Sequence, residues 1–216
     1  MKESNKKSII YIFDPFCSWC YAMSDVISKI EKEYSDDFDF IAMTGGMVLN
    51  DNVGSINDNF SFLKEAINKV EAYTGCKFGP EFKENILEKG EYVIDSLNPS
   101  IAIRVFKSMD ENNDLINFIH KLQDAFYFDG KDIKDISVIL DIVNQFNIDT
   151  LEFRLRFEDE SYKKLTLLEF DMIKSWGISG YPTILLKDND QLYLIASGFQ
   201  YLMDLKNIIK QIKSQN

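Results

Sequence analysis

Hydrophobic and polar positions along the chain change period several times, and each change marks an element. Ser8 to Phe13 reads SIIYIF, an apolar run between lysines and Asp14-Pro15, which predicts a strand buried on both faces. The period then becomes helical. Apolar residues fall at Trp19, Ala22, Met23, Val26, Ile27, Ile30 and Tyr34, with Ser24, Asp25, Lys29, Lys32 and Glu33 on the opposite face. Phe38 to Met43 predicts a second strand that ends at Thr44-Gly45-Gly46, so the chain opens as β-α-β. Near the other end, Pro182 to Leu186 and Leu192 to Ala196, joined by the polar turn Lys187 to Gln191, predict a hairpin. A last helix follows, with Leu202, Leu205, Ile208, Ile209 and Ile212 on one side and lysines near its end, where they suit the helix dipole.

Between these parts, Asn57 to Trp176 reads almost entirely as helix, without low-complexity tracts or repeats. Asn98-Pro99 has the form of an N-cap with proline at the first helical position, ahead of a stripe of Ile101, Ala102, Val105, Phe106 and Met109. Further stripes run through Leu115, Ile119, Leu122, Phe126 and through Ile136, Ile139, Leu140, Val143, Phe146. Asp149, with Glu152 three residues on, predicts another helix start. Structureless loops of such length are rare inside compact domains, so the middle is expected to be folded. The fold class is therefore α/β: a split domain formed by residues 1–56 and 170–216, interrupted by an all-helical insertion at 57–169. Phe60, Phe62, Tyr73, Phe106, Phe118 and Phe157 are expected to pack in its core and interfaces.

Composition narrows the function. Asp and Glu number 35 against 24 Lys and Arg, a formal charge of −11 over 216 residues, which opposes the phosphate neutralisation that nucleic-acid binding requires. No apolar run approaches the ~20 residues of a membrane span, and the stretch Ile9 to Phe13 is too short for a secretory signal core. No nucleic acid, no membrane and a cytoplasmic location are the expectations. No phosphate-cradling glycine loop, zinc-protease helix or dinucleotide fingerprint is present, so no cofactor is expected.

Three cysteines, Cys17, Cys20 and Cys76, are too few for a disulfide scaffold. Two of them stand in Phe16-Cys17-Ser18-Trp19-Cys20, between a strand and the first turn of an amphipathic helix. Unpaired N–H groups and the positive end of the macrodipole stabilise an anion there, so Cys17 is the expected attacking thiolate. Cys20, one helical turn on, lies within the Cα separation a disulfide tolerates and is the expected resolving thiol. Ser18 and Trp19 between them are candidates for tuning and recognition. The competing reading, half of a zinc site, lacks a second ligand pair, since only Cys76 and the single His120 remain. Cys76 is expected to be a bystander and His120 an ordinary packed or surface histidine. In Trp176 to Thr183, two glycines and a proline mark a constrained turn, and Pro182 by itself reads as a strand-entry residue.

Together, DPFCSWCYA at Asp14 to Ala22, TGGMVL at Thr44 to Leu49 and WGISGYPTILL at Trp176 to Leu186 resemble the DsbA-like branch of the thioredoxin superfamily, and more closely its cytoplasmic FrnE-like members. The resemblance implies a thioredoxin-like fold with a large helical insertion, and a thiol–disulfide oxidoreductase acting on protein or low-molecular-weight thiol and disulfide substrates, glutathione among them. It also implies a cis bond before Pro182, which lies against the cysteine pair, with Tyr181 and Thr183 acting on selectivity and Gly45, Gly46 and Met47 lining the same cleft. Reductase, isomerase and local oxidant are all open to such a pair. A glutathione-dependent isomerase or transferase of the kappa type is a second reading, opposed by the intact pair, because those relatives keep only one hydroxyl or thiol group at the motif. A non-catalytic substrate-binding module is a third.

Overall fold

The computed structural model describes residues 6–214; residues 1–5 of the basic N-terminal start, and 215–216, lie outside them. In chain order the elements are β1 (Ser8–Phe13), α1 (Ser18–Tyr34), β2 (Asp39–Thr44), β3 (Gly54–Ser55), α2 (Ile56–Asn59), α3 (Leu63–Thr74) and α4 (Pro80–Phe82), which continues into a π turn at Lys83–Leu87. There follow β4 (Val93–Ile94), α5 (Leu97–Met109), α6 (Leu115–Tyr127), α7 (Ile136–Val143), α8 (Thr150–Glu158), α9 (Glu160–Ser175), β5 (Thr183–Asp188), β6 (Gln191–Ser197) and α10 (Leu202–Ser214).

The main sheet has the order β2-β1-β5-β6. β1 is central, which is why SIIYIF carries no polar alternation: Ile9, Tyr11 and Phe13 face one layer, and Ile10 and Ile12 face the other. β2 lies parallel to β1, with Ile10 opposite Ile41, and α1 makes the crossover that parallel strands require. β5 is antiparallel to β1, with Ile12 opposite Thr183. That register has a functional consequence, because it brings the start of β5 to the same sheet edge as the end of β1.

Two cores flank the sheet. The larger joins the Tyr11 face to α1, α10 and the inserted helices through side chains such as Met23, Ile27, Ile30, Phe82, Phe106 and Phe126. Each large apolar side chain fully buried there contributes about 1.5–3 kcal/mol. The smaller core lies under α9 and holds Ile10, Ile12, Met43, Ile173 and Leu185.

Several expectations need correction. The insertion is not purely helical: it carries β4, which pairs with β3 just ahead of the insertion, Gly54 with Ile94 and Ser55 with Val93. α5 opens earlier than Asn98-Pro99, with Ser96 at the cap position, and Pro99 sits in the first turn, where helical N–H groups lack intrahelical partners anyway. α9 runs unbroken through the expected division at 169/170. It stops at a left-handed Gly177, φ 75°, whose N–H bonds the carbonyl of Lys174. Phe62 and Tyr73 are 61% and 59% exposed and so lie outside the core, though Tyr73 makes the expected interface packing, against Phe199 and Tyr201. Asp149 does cap α8, accepting from the N–H groups of Leu151 and Glu152, while Glu152 turns outward to Arg156. Among the described residues no helix is long and apolar enough to cross a membrane.

Candidate active site

β1 delivers the chain to the sheet edge at Asp14-Pro15, and Cys17 is the N-cap of α1, in extended conformation with φ −87° and ψ 111°. Its Sγ accepts the N–H of Cys20 at 3.3 Å, as a capping oxygen does elsewhere, and its S–H faces the carbonyl oxygen of Tyr181 at 3.5 Å. Cys17 is 6% exposed and Cys20 wholly buried, and both are free thiols. Burial pushes the Cys20 thiol well up, and the hydrogen bond and charge of Cys17 push it further. One thiol thus borders the surface while the other is kept protonated behind it.

The Tyr181–Pro182 bond is cis. Tyr181 is fixed at its far end by a hydrogen bond from its hydroxyl to the carbonyl of Gly45, 2.9 Å. A Cβ at position 45 would meet the Tyr181 ring at 2.2 Å, so only glycine leaves the ring where it stands. Thr183 is brought close in sequence but not into the cleft: its side chain is buried and its hydroxyl donates to Gly180 O at 2.7 Å.

A cleft of about 510 Å³ opens at Cys17. Ser18, Trp19, Met47 and Tyr181 line it, as do Phe60, Phe62 and Leu63 of the insertion, with the amides of Asn52 and Asn59 as polar points. Trp19 leans edge-on against Tyr73, ring centroids 5.8 Å apart. Phe60 and Phe62, expected in core and interface packing, are walls of this cleft, and Phe60 also packs against the main core. Their hydrophobicity was visible, but nothing in the sequence separates a core aromatic from a cleft aromatic.

The sequence pattern also passed over Asp14, which reads as a strand terminator and is in fact fully buried. Its Oδ1 accepts from Phe16 N at 3.0 Å and Ser96 Oγ at 2.9 Å, and its Oδ2 from Met47 N at 2.7 Å. Burial raises its carboxyl above the usual range despite these bonds. Asp14 therefore ties the cysteine loop to the Met47 segment and to the start of α5.

The remaining candidates lie elsewhere. Cys76 borders a second cleft with Tyr21, Thr74 and His120, and burial followed by the charges of Asp25, Glu71 and Asp124 pushes its thiol up to about 11. His120 stands between Asp25, 3.9 Å away, and Asp124, 3.6 Å away. Among the described residues no group of three or more His, Cys, Asp or Glu side chains is placed to hold a metal ion.

The thioredoxin family model matches residues 11–207. In sequence the chain is 23% identical over 180 residues to the ClpXP adapter protein SpxH of Bacillus subtilis strain 168, a match covering 81% of this chain and 56% of that protein. The chain thus spans little more than half the length of that relative. Among solved structures it is similar to a putative protein disulfide isomerase from Nitrosomonas europaea, TM-score 0.84 at 24% identity, covering 98% of this chain and 99% of that one. It is also similar to the cytosolic disulfide reductase DsbM from Pseudomonas aeruginosa, TM-score 0.81 at 19% identity over 97% and 100% of the two chains, a protein also solved with GSH. With the family match running from β1 to α10, the chain belongs to the thioredoxin family.

Proposed function

We propose that the protein is a thiol–disulfide oxidoreductase in which Cys17 attacks and Cys20 resolves. The observation that carries this reading is the pair's asymmetry: Cys17 caps α1 at the cleft, accepting the Cys20 N–H, while Cys20 is sealed beneath.

In the reducing direction the Cys17 thiolate attacks one sulfur of a substrate disulfide. That S–S bond breaks, a mixed disulfide forms and the first substrate thiol leaves. Cys17 then no longer carries a negative charge, so two causes that hold the Cys20 proton in place disappear together. Cys20 ionises, attacks Cys17 Sγ and releases the second substrate thiol. The enzyme dithiol has become a disulfide, and two electrons with two protons have passed to the substrate. Holding Cys20 protonated until Cys17 is occupied orders the two steps.

Protein or low-molecular-weight disulfides, glutathione disulfide among them, are the proposed substrates. The carbonyl of Tyr181 beside Cys17 offers an extended segment a backbone acceptor, and the apolar walls suit polypeptide side chains. A cytoplasmic site of action belongs to the same proposal, supported by the likeness to DsbM, which is described as cytosolic. The test is trapping with an insulin substrate. Cys20→Ser is expected to accumulate a mixed disulfide through Cys17, and Cys17→Ser to lose turnover entirely. Full turnover by Cys17→Ser refutes the assignment.

A further inference from the structure

The peptide unit that enters Cys17 is held by one helix of the insertion, directly at its carbonyl and through a shared acceptor at its N–H. Its carbonyl, Phe16 O, accepts from the hydroxyl of Tyr127 at 2.5 Å. Its N–H, on Cys17, donates to Asp14 O at 3.1 Å, and that same oxygen accepts from Gln123 Nε2 at 3.4 Å. Gln123 and Tyr127 stand four residues apart on α6, on one face, and both are buried to within 1%. Gln123 reaches the far side of the motif as well: its Oε1 faces Ser24 Oγ at 2.7 Å, and Ser24 Oγ lies 3.2 Å from Cys20 O. The ring of Tyr127 is held in turn, stacked on Tyr21 at 4.9 Å and edge-on to Phe82 at 5.2 Å.

We infer that Tyr127 and Gln123 are positioning residues for the dithiol, resting on the reading of Cys17 as nucleophile. Neither needs to touch a sulfur. The dihedral angles of Cys17 set the line from Cys20 N–H to Cys17 Sγ, and those angles follow from the plane of the preceding peptide. When Tyr127 loses its hydroxyl, Phe16 O is left buried without that donor and the peptide gains freedom to rotate. The N–H···S alignment that favours the thiolate then weakens, and the reduced enzyme loses stability relative to the disulfide. Through these contacts the helical insertion sets the redox poise of the domain it interrupts.

The experiment compares wild type, Tyr127→Phe, Gln123→Met and Tyr92→Phe as full chains. Tyr92 donates a comparable phenol hydrogen bond, to Asp132, from the same aromatic cluster; its ring packs on Phe16, centroids 6.1 Å apart, and Tyr92→Phe keeps that ring while removing a hydroxyl that bonds Asp132 and not the cysteine loop. Equilibration with glutathione buffers is expected to show Tyr127→Phe more readily oxidised by about tenfold in the equilibrium constant, a fall of about 30 mV. Peptide-mapped iodoacetamide labelling of Cys17 in the folded protein is expected to slow by a similar factor, while labelling in urea is expected to match the wild type. Gln123→Met is expected to move both readouts in the same direction, which keeps the inference testable should Tyr127→Phe fail to fold. Wild-type values in both Tyr127→Phe and Gln123→Met, or equal shifts in Tyr92→Phe, overturn the inference while leaving the dithiol reading intact. An inert Cys17 in the wild type overturns the dithiol reading itself.

Discussion

Asp14 is a carboxyl group shut away from water whose three hydrogen bonds do not offset the desolvation of its charge. Its folded-state pKa lies above its unfolded value, so in the window between them the folded chain holds a proton that the unfolded chain has released. Stability from this group is complete below about pH 4 and is lost as pH rises through the raised folded value. Glu31 contributes in the same sense, pushed up to about 7 by burial and then by Asp110 and Asp114. The difference between wild type and Asp14→Asn isolates the first group: urea midpoints of the two are expected to diverge above pH 4, with the wild type falling more steeply. Parallel profiles would place the Asp14 charge elsewhere. Cys76 supplies a second expectation. With its thiol pushed up to about 11, it is expected to alkylate roughly a hundredfold more slowly at pH 8 than in urea, where a free thiol ionises near 8.5. Mass-resolved labelling of folded and unfolded protein checks this. The placement of the cysteine pair at the head of α1 was legible from spacing and context alone. Asp14 and Ser96 were not, because a polar residue at a turn looks the same in sequence whether it faces water or closes a buried network with positions 47 and 96.

At the scale of elements, the site depends on the end of β2 meeting the start of β5. Gly45 N bonds Phe13 O at 2.8 Å, while Gly45 O receives the Tyr181 hydroxyl. Gly45→Ala forces the Tyr181 ring aside, at about 1–3 kcal/mol of overpacking, and is expected to cut disulfide exchange by more than about tenfold while the fold persists. Stopped-flow exchange and thermal melts separate the two effects. One residue earlier, Thr44 N and Oγ1 both donate to Glu169 Oε1 of α9, and Arg104 of α5 pairs with Glu169 Oε2. Arg104→Met leaves a carboxylate that is 8% exposed without its paired guanidinium, with Lys107 still acting on it from a distance. The expected cost is about 2–4 kcal/mol, below the fully buried case because Arg104 itself is 24% exposed, and chemical denaturation measures it. The strands and the long helices were readable because their periods run for several residues. The two-residue ladder of β3 and β4 has no period to read. The start of α5 was misplaced for a tertiary reason, since the Ser96 hydroxyl donates to Asp14 rather than capping its own helix.

The whole molecule carries a formal charge of −11, yet none of the residues lining the active cleft is charged. Apolar walls and the Tyr181 carbonyl act only on a substrate already in place, whereas the summed field acts on its approach. A net anionic disulfide such as oxidised glutathione approaches against that field, and a dicationic one such as cystamine approaches with it. The ratio of cystamine to glutathione disulfide reduction is therefore expected to exceed the ratio for a small free thiol by several-fold at about 10 mM salt, where the Debye length is about 30 Å. At about 1 M salt the length shrinks to about 3 Å, and the excess is expected to vanish. Contacts made inside the cleft persist under those conditions, so a preference that survives high salt belongs to the walls and not to the field. The measurement thus assigns selectivity either to the fourteen-residue lining or to the acidic helix faces of the molecule at large, and a ratio independent of salt rules out the second.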